Sequence, residues 1–209
     1  MHPSEELLLA VASGEADLPY RVLVEGHLDA CAACRATLGE ISAPGGALLS
    51  ELRPEQPPDI VWQSLRTRIA ALPPKPQSPP FAGIPLPEAA RRELPDLDEV
   101  RWMRLPIRGA RLAVLIRDPF TGSVLILGHM PPRRFFPEHL HQGPEDVLVL
   151  AGGYADRFGT YEAGVFASYA PGTRHRPLTE PDEECWILTR LEKPNLFLGW
   201  RGWVQRLFF

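Results

Sequence analysis

Apolar residues recur at helical spacing through the first 72 residues of the chain. Leu7, Leu8 and Val11 follow Ser4 and precede Gly14, a pattern typical of a short helix with a cap at each end. A second helix is predicted to begin at Asp17, with Pro19 in its first turn, where a missing N–H costs little. Its apolar face comprises Tyr20, Leu23, Val24 and Leu28.

Two further helices are predicted before residue 73. The third runs from about Cys31 to Glu40 and on to Leu52, with a break expected at Pro44-Gly45-Gly46. The fourth, 58–72, carries an apolar stripe formed by Ile60, Val61, Leu65, Ile69 and Leu72. Four short helices bury only a small core, so a bound metal ion would add useful stability.

From about residue 97 the pattern changes to short apolar and β-branched runs separated by turns. Predicted strands cover 112–116, 124–127, 147–150, 165–169 and 186–191. A hairpin turn is predicted at 118–122, a short helix at 88–94, and a closing strand in the aromatic tail 197–209. Many short strands with regular turns favour a sandwich or barrel.

Seven of the 24 prolines lie within residues 73–87. Such a stretch cannot form a helix or a central strand, so we expect an extended linker. The predicted fold class is α+β in two domains. A helical domain at 1–72 is joined by a linker at 73–96 to an all-β domain at 97–209.

Charge is distributed unevenly along the 209 residues. The whole chain has a net charge of −4, whereas residues 1–72 contain ten acidic residues, five arginines and no lysine, a net charge of −5. Direct binding of nucleic acid needs a basic surface against phosphate, so the helical part is a poor match for DNA. A basic protein partner fits it better.

The sequence lacks the marks of a membrane or secreted protein. No apolar run approaches the roughly 18 residues of a membrane helix, and the first residues are acidic, unlike a secretory signal. We therefore expect a cytoplasmic protein that does not bind membranes. In that compartment a Cys-x-x-Cys pair is more often metal-binding or redox-active than a structural disulfide.

The helical part contains one group of metal-binding residue types. His27, Cys31 and Cys34 form H-x3-C-x2-C, in which the first two residues share a helix face, and His2 would supply a fourth ligand. Four nitrogen and sulfur ligands are what structural Zn²⁺ prefers. A dithiol switch without metal and simple packing of the side chains are the alternatives.

The β part contains a second group. His139 and His141 lie on one face of a strand, Glu145 follows four residues later, and His175 lies in a later hairpin. Three imidazoles and one carboxylate suit Zn²⁺, Fe²⁺ or Mn²⁺. The alternative is a set of surface histidines around a loop.

The second group resembles the first motif of the cupin family, G-x5-H-x-H-x3,4-E-x6-G, with Gly152 at its end. The leading glycine of that motif has no clear counterpart. The second cupin motif, G-x5-P-x-G-x2-H-x3-N, is matched in part by Gly164, Pro171, Gly172 and His175, and Thr179 stands where it ends in Asn. The resemblance implies a jelly-roll barrel.

The first group resembles the zinc-binding anti-sigma domain, and the two groups in this order resemble ChrR-type anti-sigma factors over nearly the whole chain. The resemblance implies His2, His27, Cys31 and Cys34 as structural zinc ligands. It implies His139, His141, Glu145 and His175 as ligands of the barrel metal.

The resemblance also implies a function. The helical domain would clamp a sigma factor of the extracytoplasmic-function (ECF) type and hide its surfaces for polymerase and promoter DNA. The barrel would sense singlet oxygen or a related oxidant and release sigma. The alternative function is a metal-dependent cupin enzyme, similar to a dioxygenase, with an N-terminal zinc module. The sequence shows no nucleophile–base pair that would support catalysis.

Overall fold

The computed structural model describes residues 1–72, 83–94 and 100–198. Within these ranges the helices are α1 (Glu5–Ser13), α2 (Leu18–Ala30), α3 (Ala32–Ser50), α4 (Asp59–Ala70) and α5 (Glu88–Glu93). The proline-rich stretch 73–82 and the tail from residue 199, where an extended linker and a closing strand are predicted, lie outside the described residues.

The first two helices begin at the predicted caps. Ser4 Oγ accepts a hydrogen bond from the Leu7 amide at 3.2 Å, and Asp17 Oδ1 accepts one from the Tyr20 amide at 2.9 Å. Gly14 ends α1 with φ of 78°, the left-handed conformation that glycine adopts at low cost. These caps use polar groups within four residues of each other, so the sequence alone is enough to locate them.

The predicted break in the third helix is wrong, because α3 continues through Pro44, Gly45 and Gly46. Proline removes its own N–H from the helical ladder and its ring crowds the carbonyl four residues earlier, but α3 continues past Pro44 despite both costs. Alanine and leucine on both sides of the interruption are strong helix formers, and they maintain the neighbouring turns. The second half of α3 therefore extends into solvent as one regular helix.

The β part consists of short strands, whose bounds are as follows: β1 (Met103–Arg104), β2 (Arg111–Arg117), β3 (Val124–Met130), β4 (His139–Leu140), β5 (Glu145–Ala151), β6 (Gly153–Asp156), β7 (Gly159–Glu162), β8 (Phe166–Tyr169), β9 (Arg174–His175), β10 (Leu178–Thr179), β11 (Cys185–Leu191) and β12 (Leu196–Phe197). Each of the five predicted strands overlaps an observed one. The turn at 118–122 is closed by Asp118 Oδ1, which accepts from the amides of Phe120 and Thr121.

These strands form three antiparallel sheets. The largest has the order β1-β2-β3-β11-β5-β8, and the two smaller ones have the orders β10-β6-β7 and β12-β4-β9. Strand β11 pairs with β3 along seven residues and with β5 on its other side, so it is an interior strand of the large sheet. The predicted combination of N-terminal helices with an all-β barrel is confirmed.

One apolar core extends from the helices into the large sheet. Val22, Leu23 and Val24 of α2 are fully buried in the same cluster as Leu148 of β5 and Phe166 of β8. At Gly26, a Cβ atom would lie 3.0 Å from the side chain of Leu148, so glycine allows α2 to approach the sheet closely. Helix α5 packs on α2 and buries Leu86, Ala90 and Leu94.

A buried ion pair also joins the helices to the sheet. Arg190 of β11 donates to both carboxylate oxygens of Asp17, at 2.6 and 3.2 Å, and the two side chains are 3% and 5% exposed. The guanidinium also lies 3.4 Å from the ring centroid of Tyr20. Ser123 donates to the same aspartate at 2.8 Å. Asp17 therefore caps α2 and links it to the barrel.

Helix α4 differs from the prediction in its packing. The apolar stripe of the fourth helix was expected to join a four-helix core, but no residue of α4 is buried. Ile60 and Ile69 are 73% and 61% exposed. Periodicity identifies an apolar face without saying what covers it. Among the described residues, no helix combines the length and apolar character needed to cross a membrane.

Candidate metal centres

The structure brings His2, His27, Cys31 and Cys34 together, and we call these four residues the helical centre. His2 precedes α1, His27 lies in the last turn of α2, Cys31 is the N-cap of α3, and Cys34 lies in its first turn. The His2 Nδ1 atom lies 3.4 Å from His27 Nε2 and from each of the two Sγ atoms.

These distances fit one tetrahedral ion. With Zn–N near 2.05 Å and Zn–S near 2.3 Å, tetrahedral ligand atoms lie about 3.3 Å apart for two nitrogens, about 3.6 Å for nitrogen and sulfur, and about 3.8 Å for two sulfurs. All four ligand atoms of the helical centre lie within 4.8 Å of one another. Two nitrogens and two sulfurs are also the ligand types of structural zinc sites.

The ring of His27 is oriented by the barrel. Its Nδ1 donates to the carbonyl oxygen of Gly164 at 2.9 Å, so Nδ1 carries the ring proton and Nε2 presents a lone pair to the helical centre. Metal-binding histidines commonly hold their second nitrogen in this way. Sequence reasoning missed this contact, because a backbone carbonyl 137 residues away leaves no local signal.

The two thiols of the helical centre differ in acidity. The amide of Cys34 donates to Cys31 Sγ and lowers the pKa of the Cys31 thiol, whereas burial raises the pKa of Cys34 to about 11. A divalent cation would favour the thiolate form of both. The third cysteine, Cys185, is buried in the core of the barrel, and burial raises its pKa to about 12.

The structure also brings together His139, His141, Glu145 and His175, which we call the barrel centre. Strands β4 and β9 pair His139 with His175, His141 follows β4, and Glu145 begins β5. All four side chains are buried.

Their ligand atoms converge on one point. His175 Nε2 lies 3.0 Å from His139 Nε2 and 3.2 Å from His141 Nε2, and Glu145 Oε2 lies 3.4 Å from His141 Nε2. Ligand atoms about 2.1 Å from one ion would be about 3.0 Å apart at right angles and about 3.4 Å apart at tetrahedral angles. The observed spacings fit one divalent ion of either geometry.

Each histidine of the barrel centre donates a hydrogen bond from Nδ1 to an oxygen outside the centre. The Nδ1 atom of His139 donates to the Pro137 carbonyl at 2.8 Å, and that of His175 donates to Asp156 Oδ2 at 2.6 Å. The Nδ1 atom of His141 donates to Thr173 Oγ1, because that hydroxyl gives its own proton to the Ala170 carbonyl. Three Nε2 lone pairs therefore face each other, which is unfavourable without a cation.

Burial sets the charge of these groups. It lowers the pKa of His139 to about 3 and that of His141 to about 4, and it raises the pKa of Glu145 to about 7. The imidazoles are thus neutral at neutral pH, the form that binds metal. Asn195 donates a hydrogen bond to Glu145 Oε2 and helps to orient it.

Two departures from the cupin motifs have structural explanations. Arg133, six residues before His139, occupies the position of the leading glycine, with φ of 56°. Among the described residues, it is the one non-glycine residue with positive φ. Thr179, which replaces the final Asn, donates to the Pro131 carbonyl at 2.7 Å and accepts from the Arg134 amide at 2.9 Å. It thereby fixes the loop that precedes the barrel centre.

Asp156 supports the barrel centre through His175, and the sequence did not reveal this role. Besides His175, its carboxylate accepts from the Tyr169 hydroxyl at 2.9 Å and from the Phe158 amide at 2.7 Å. The signal in the sequence is a lone aspartate before a turn, which usually only closes that turn.

Known proteins resemble the chain in both sequence and structure. A family model described as the ChrR Cupin-like domain matches residues 90–194. The anti-sigma-E factor ChrR of Cereibacter sphaeroides is 32% identical over 213 residues, covering 100% of this chain and 97% of that protein.

A solved structure adds to this likeness. The crystal structure of Rhodobacter sphaeroides SigE in complex with the anti-sigma factor ChrR matches with a TM-score of 0.66 and 29% identity, over 91% of this chain and 97% of that one. The domain match and the full-length identity show that the chain belongs to the ChrR family of anti-sigma factors.

Proposed function

We propose that this chain binds and inhibits an ECF-type sigma factor through its helical part, residues 1–72, and that the barrel, residues 97–209, senses the signal for release. Its full-length relative is an anti-sigma factor, and the similar crystal structure is a complex of such a protein with a sigma factor. This likeness supports a non-enzymatic role, so the dioxygenase alternative is not retained.

The observation that carries the proposal is a set of exposed apolar side chains on α3 and α4 and just beyond the ends of these helices. We call it the α3–α4 apolar surface; its members are Leu48, Leu49, Leu52, Ile60, Val61, Trp62, Leu65, Ile69 and Leu72, which are 41–73% exposed. Exposed apolar side chains concentrated in one stretch of chain often mark a protein–protein interaction site. A protein partner that covers it would bury these side chains.

The lack of buried residues in α4 also supports a protein partner. A helix of 12 residues is marginal in water without tertiary contacts, and α4 buries none of its residues. A bound partner would supply the missing contacts. The net charge of −5 over residues 1–72 would attract basic surfaces of a sigma factor, which otherwise contact DNA.

The helical centre would give this part of the chain its shape. Its ligands come from the residues before α1, from the end of α2 and from the start of α3. One zinc ion would therefore cross-link three elements and fix the direction in which α3 leaves the helical bundle. Since Leu48, Leu49 and Leu52, at and just beyond the end of α3, form a third of the α3–α4 apolar surface, loss of zinc would disorganise the partner site.

The barrel centre would act as the sensor of an oxidant such as singlet oxygen. Three imidazole rings and the phenol rings of Tyr154, Tyr161 and Tyr169 are packed together there. These electron-rich rings are chemically suited to oxidation. A Zn²⁺, Fe²⁺ or Mn²⁺ ion would hold the four ligands and neutralise Glu145; among these, zinc fits a site that needs no redox change of its own.

Capture from a lysate of the native host tests partner binding. The bait is the full chain, beside Cys31→Ala/Cys34→Ala and Ile60→Glu/Ile69→Glu variants, with bound proteins identified by mass spectrometry. We expect a sigma factor on the wild type and little on either variant. Phe120→Glu is the control, since Phe120 is 95% exposed in the turn between β2 and β3 and should leave binding unchanged. A folded wild type that holds no sigma factor contradicts the proposal.

Illumination of the purified complex with a photosensitiser tests the sensor. We expect sigma release in light and oxygen, and no release in the dark or with a singlet-oxygen quencher. A complex that remains intact after oxidation of its barrel histidines and tyrosines contradicts singlet oxygen as the signal.

A further inference from the structure

Strand β8 lies between the two centres. Its first residue, Phe166, and the preceding Gly164 contact the helical centre, whereas its last residue, Tyr169, contacts the barrel centre. Phe166 and Tyr169 are three positions apart, about 10 Å along a strand, and they point to opposite faces.

At the first end, backbone groups of the barrel hold two of the four residues of the helical centre. The Gly164 carbonyl accepts from His27 Nδ1 at 2.9 Å, and the Phe166 amide donates to the Met1 carbonyl, next to His2, at 3.3 Å. The Phe166 ring packs edge-on against the His27 ring, with the centroids 5.9 Å apart. The position of this segment therefore determines where two ligands of the helical centre lie.

At the other end, Tyr169 is built into the surroundings of the barrel centre. Its hydroxyl donates to Asp156 Oδ2, the same oxygen that accepts from His175 Nδ1. Its ring centroid lies 4.4 Å from that of His175 and 5.2 Å from that of His141. Tyr169 is also the register partner of Glu145.

The segment between these ends is held by continuous backbone pairing with β5. Strand β8 pairs with β5 through all four residues, from Glu145 with Tyr169 to Leu148 with Phe166. Gly164 and Val165 continue the pairing through mutual backbone hydrogen bonds with Val149. A hydrogen-bonded strand does not stretch, so a displacement at one end moves the other.

We propose that the two centres are energetically coupled through residues 164–169. With the barrel centre bound to metal and intact, Tyr169 and Glu145 hold β8 where Gly164 and Phe166 fix the ligands of the helical centre. Damage to the barrel centre shifts β8 and weakens zinc binding in the helical centre. The inference rests on the proposed function for its two metal sites. It supplies the route by which a change at the barrel centre would reach the sigma-binding helical part.

Cobalt-substituted full-length protein gives a selective measurement. The thiolate-to-Co²⁺ absorption band reports the helical centre alone, because the four residues of the barrel centre include no cysteine. Competition with a chelator then gives the affinity of the helical centre in each variant. The zinc forms are measured in parallel by release to a chromophoric chelator.

We expect weaker binding at the helical centre in His141→Ala, which removes a ligand of the barrel centre, and in Tyr169→Phe, which keeps the ring but loses the hydroxyl. Coupling between two sites in one protein typically changes affinity by about 5- to 150-fold. Tyr169→Phe keeps the test valid if His141→Ala does not fold. By reciprocity, Cys31→Ser/Cys34→Ser should weaken the barrel centre by a similar factor.

A matched glycine pair tests the first end of the segment. Gly164 and Gly122 have φ of 87° and 73°, so alanine introduces similar strain at each. Gly164→Ala should lower cobalt affinity at the helical centre, and Gly122→Ala, in the turn between β2 and β3, should not.

The outcomes separate the two proposals. The coupling is overturned if the wild type shows the thiolate–cobalt band and folded His141→Ala, Tyr169→Phe and Gly164→Ala bind cobalt at the helical centre as tightly as it does. The proposed metal sites would then still stand. A wild type without any thiolate–cobalt band overturns the zinc assignment of the helical centre, and the coupling with it.

Discussion

Replacing Asp17 by Asn tests the connection between the helices and the barrel. The substitution removes one charge from the buried pair with Arg190, whose side chains are 3% and 5% exposed. Asn can still accept from the Tyr20 amide and cap α2, so the loss of the ion pair is separated from the loss of the cap.

The expected cost follows from the burial of the pair. Removing one partner of a buried ion pair costs about 3–5 kcal/mol, since the other charge is left without compensation. Arg190 keeps Glu192 at 3.1 Å and the ring of Tyr20, so we expect the lower end, about 3 kcal/mol. For a chain of this length 1 kcal/mol corresponds to about 2–4 °C, so Tm should fall by about 6–12 °C.

Thermal unfolding followed by circular dichroism and calorimetry measures this shift. Asp182→Asn is the control, because its pair with Arg133 is 84% and 71% exposed and contributes about 0.5 kcal/mol or less. Equal Tm values for Asp17→Asn and Asp182→Asn would refute the reasoning that burial makes the Asp17 pair strong.

Three further predictions concern stability. Gly26→Ala should destabilise the protein by about 1–3 kcal/mol in denaturant unfolding, because its Cβ would lie 3.0 Å from the Leu148 side chain. Gly39→Ala has nothing within 4 Å of its Cβ and should stabilise α3 by up to about 1 kcal/mol. A change of the same sign at both sites would contradict the close packing of α2. Arg133→Gly should give a protein about 1 kcal/mol more stable than Arg133→Ala in the same assay, because both lose the Arg side chain but only alanine keeps the strain of positive φ. Equal stability of the two variants would argue against strain at this position. Burial raises the pKa of Asp17, but hydrogen bonds from Arg190, the Tyr20 amide and Ser123 outweigh it, and the net pKa is lowered. The stabilisation by Asp17 should therefore be complete well above the unfolded pKa of about 3.9 and vanish as pH falls through the folded value, so the Tm difference between wild type and Asp17→Asn should close in acid.

Local features of this chain could be predicted because their signals lie within a few residues. Ser4, Asp17 and Gly14 cap helices through neighbouring backbone groups. The spacings of the histidines and cysteines also indicated both groups of candidate ligands, which the fold brings together. Residues at short spacing lie on one helical turn or one strand face, so their proximity can be predicted without knowing the tertiary structure.

Long-range features could not be predicted in this way. The Gly164 carbonyl, Asp156 and Arg190 act on residues that are 137, 19 and 173 positions away. The exposed apolar stripe of α4 could not be predicted for a different reason: periodicity identifies the apolar face of a helix but not what packs against it. In α3, the sequence signal was misleading, since favourable neighbours outweigh one proline.

Transcription reconstituted in vitro tests the central claim most directly. Core polymerase and the sigma factor captured from the host are supplied with that sigma factor's promoter, and the full chain is added in increasing amounts. We predict that the wild type abolishes the transcript near one equivalent, while Ile60→Glu/Ile69→Glu leaves most of it. Undiminished transcription at a large excess of folded, zinc-loaded wild type would contradict the account.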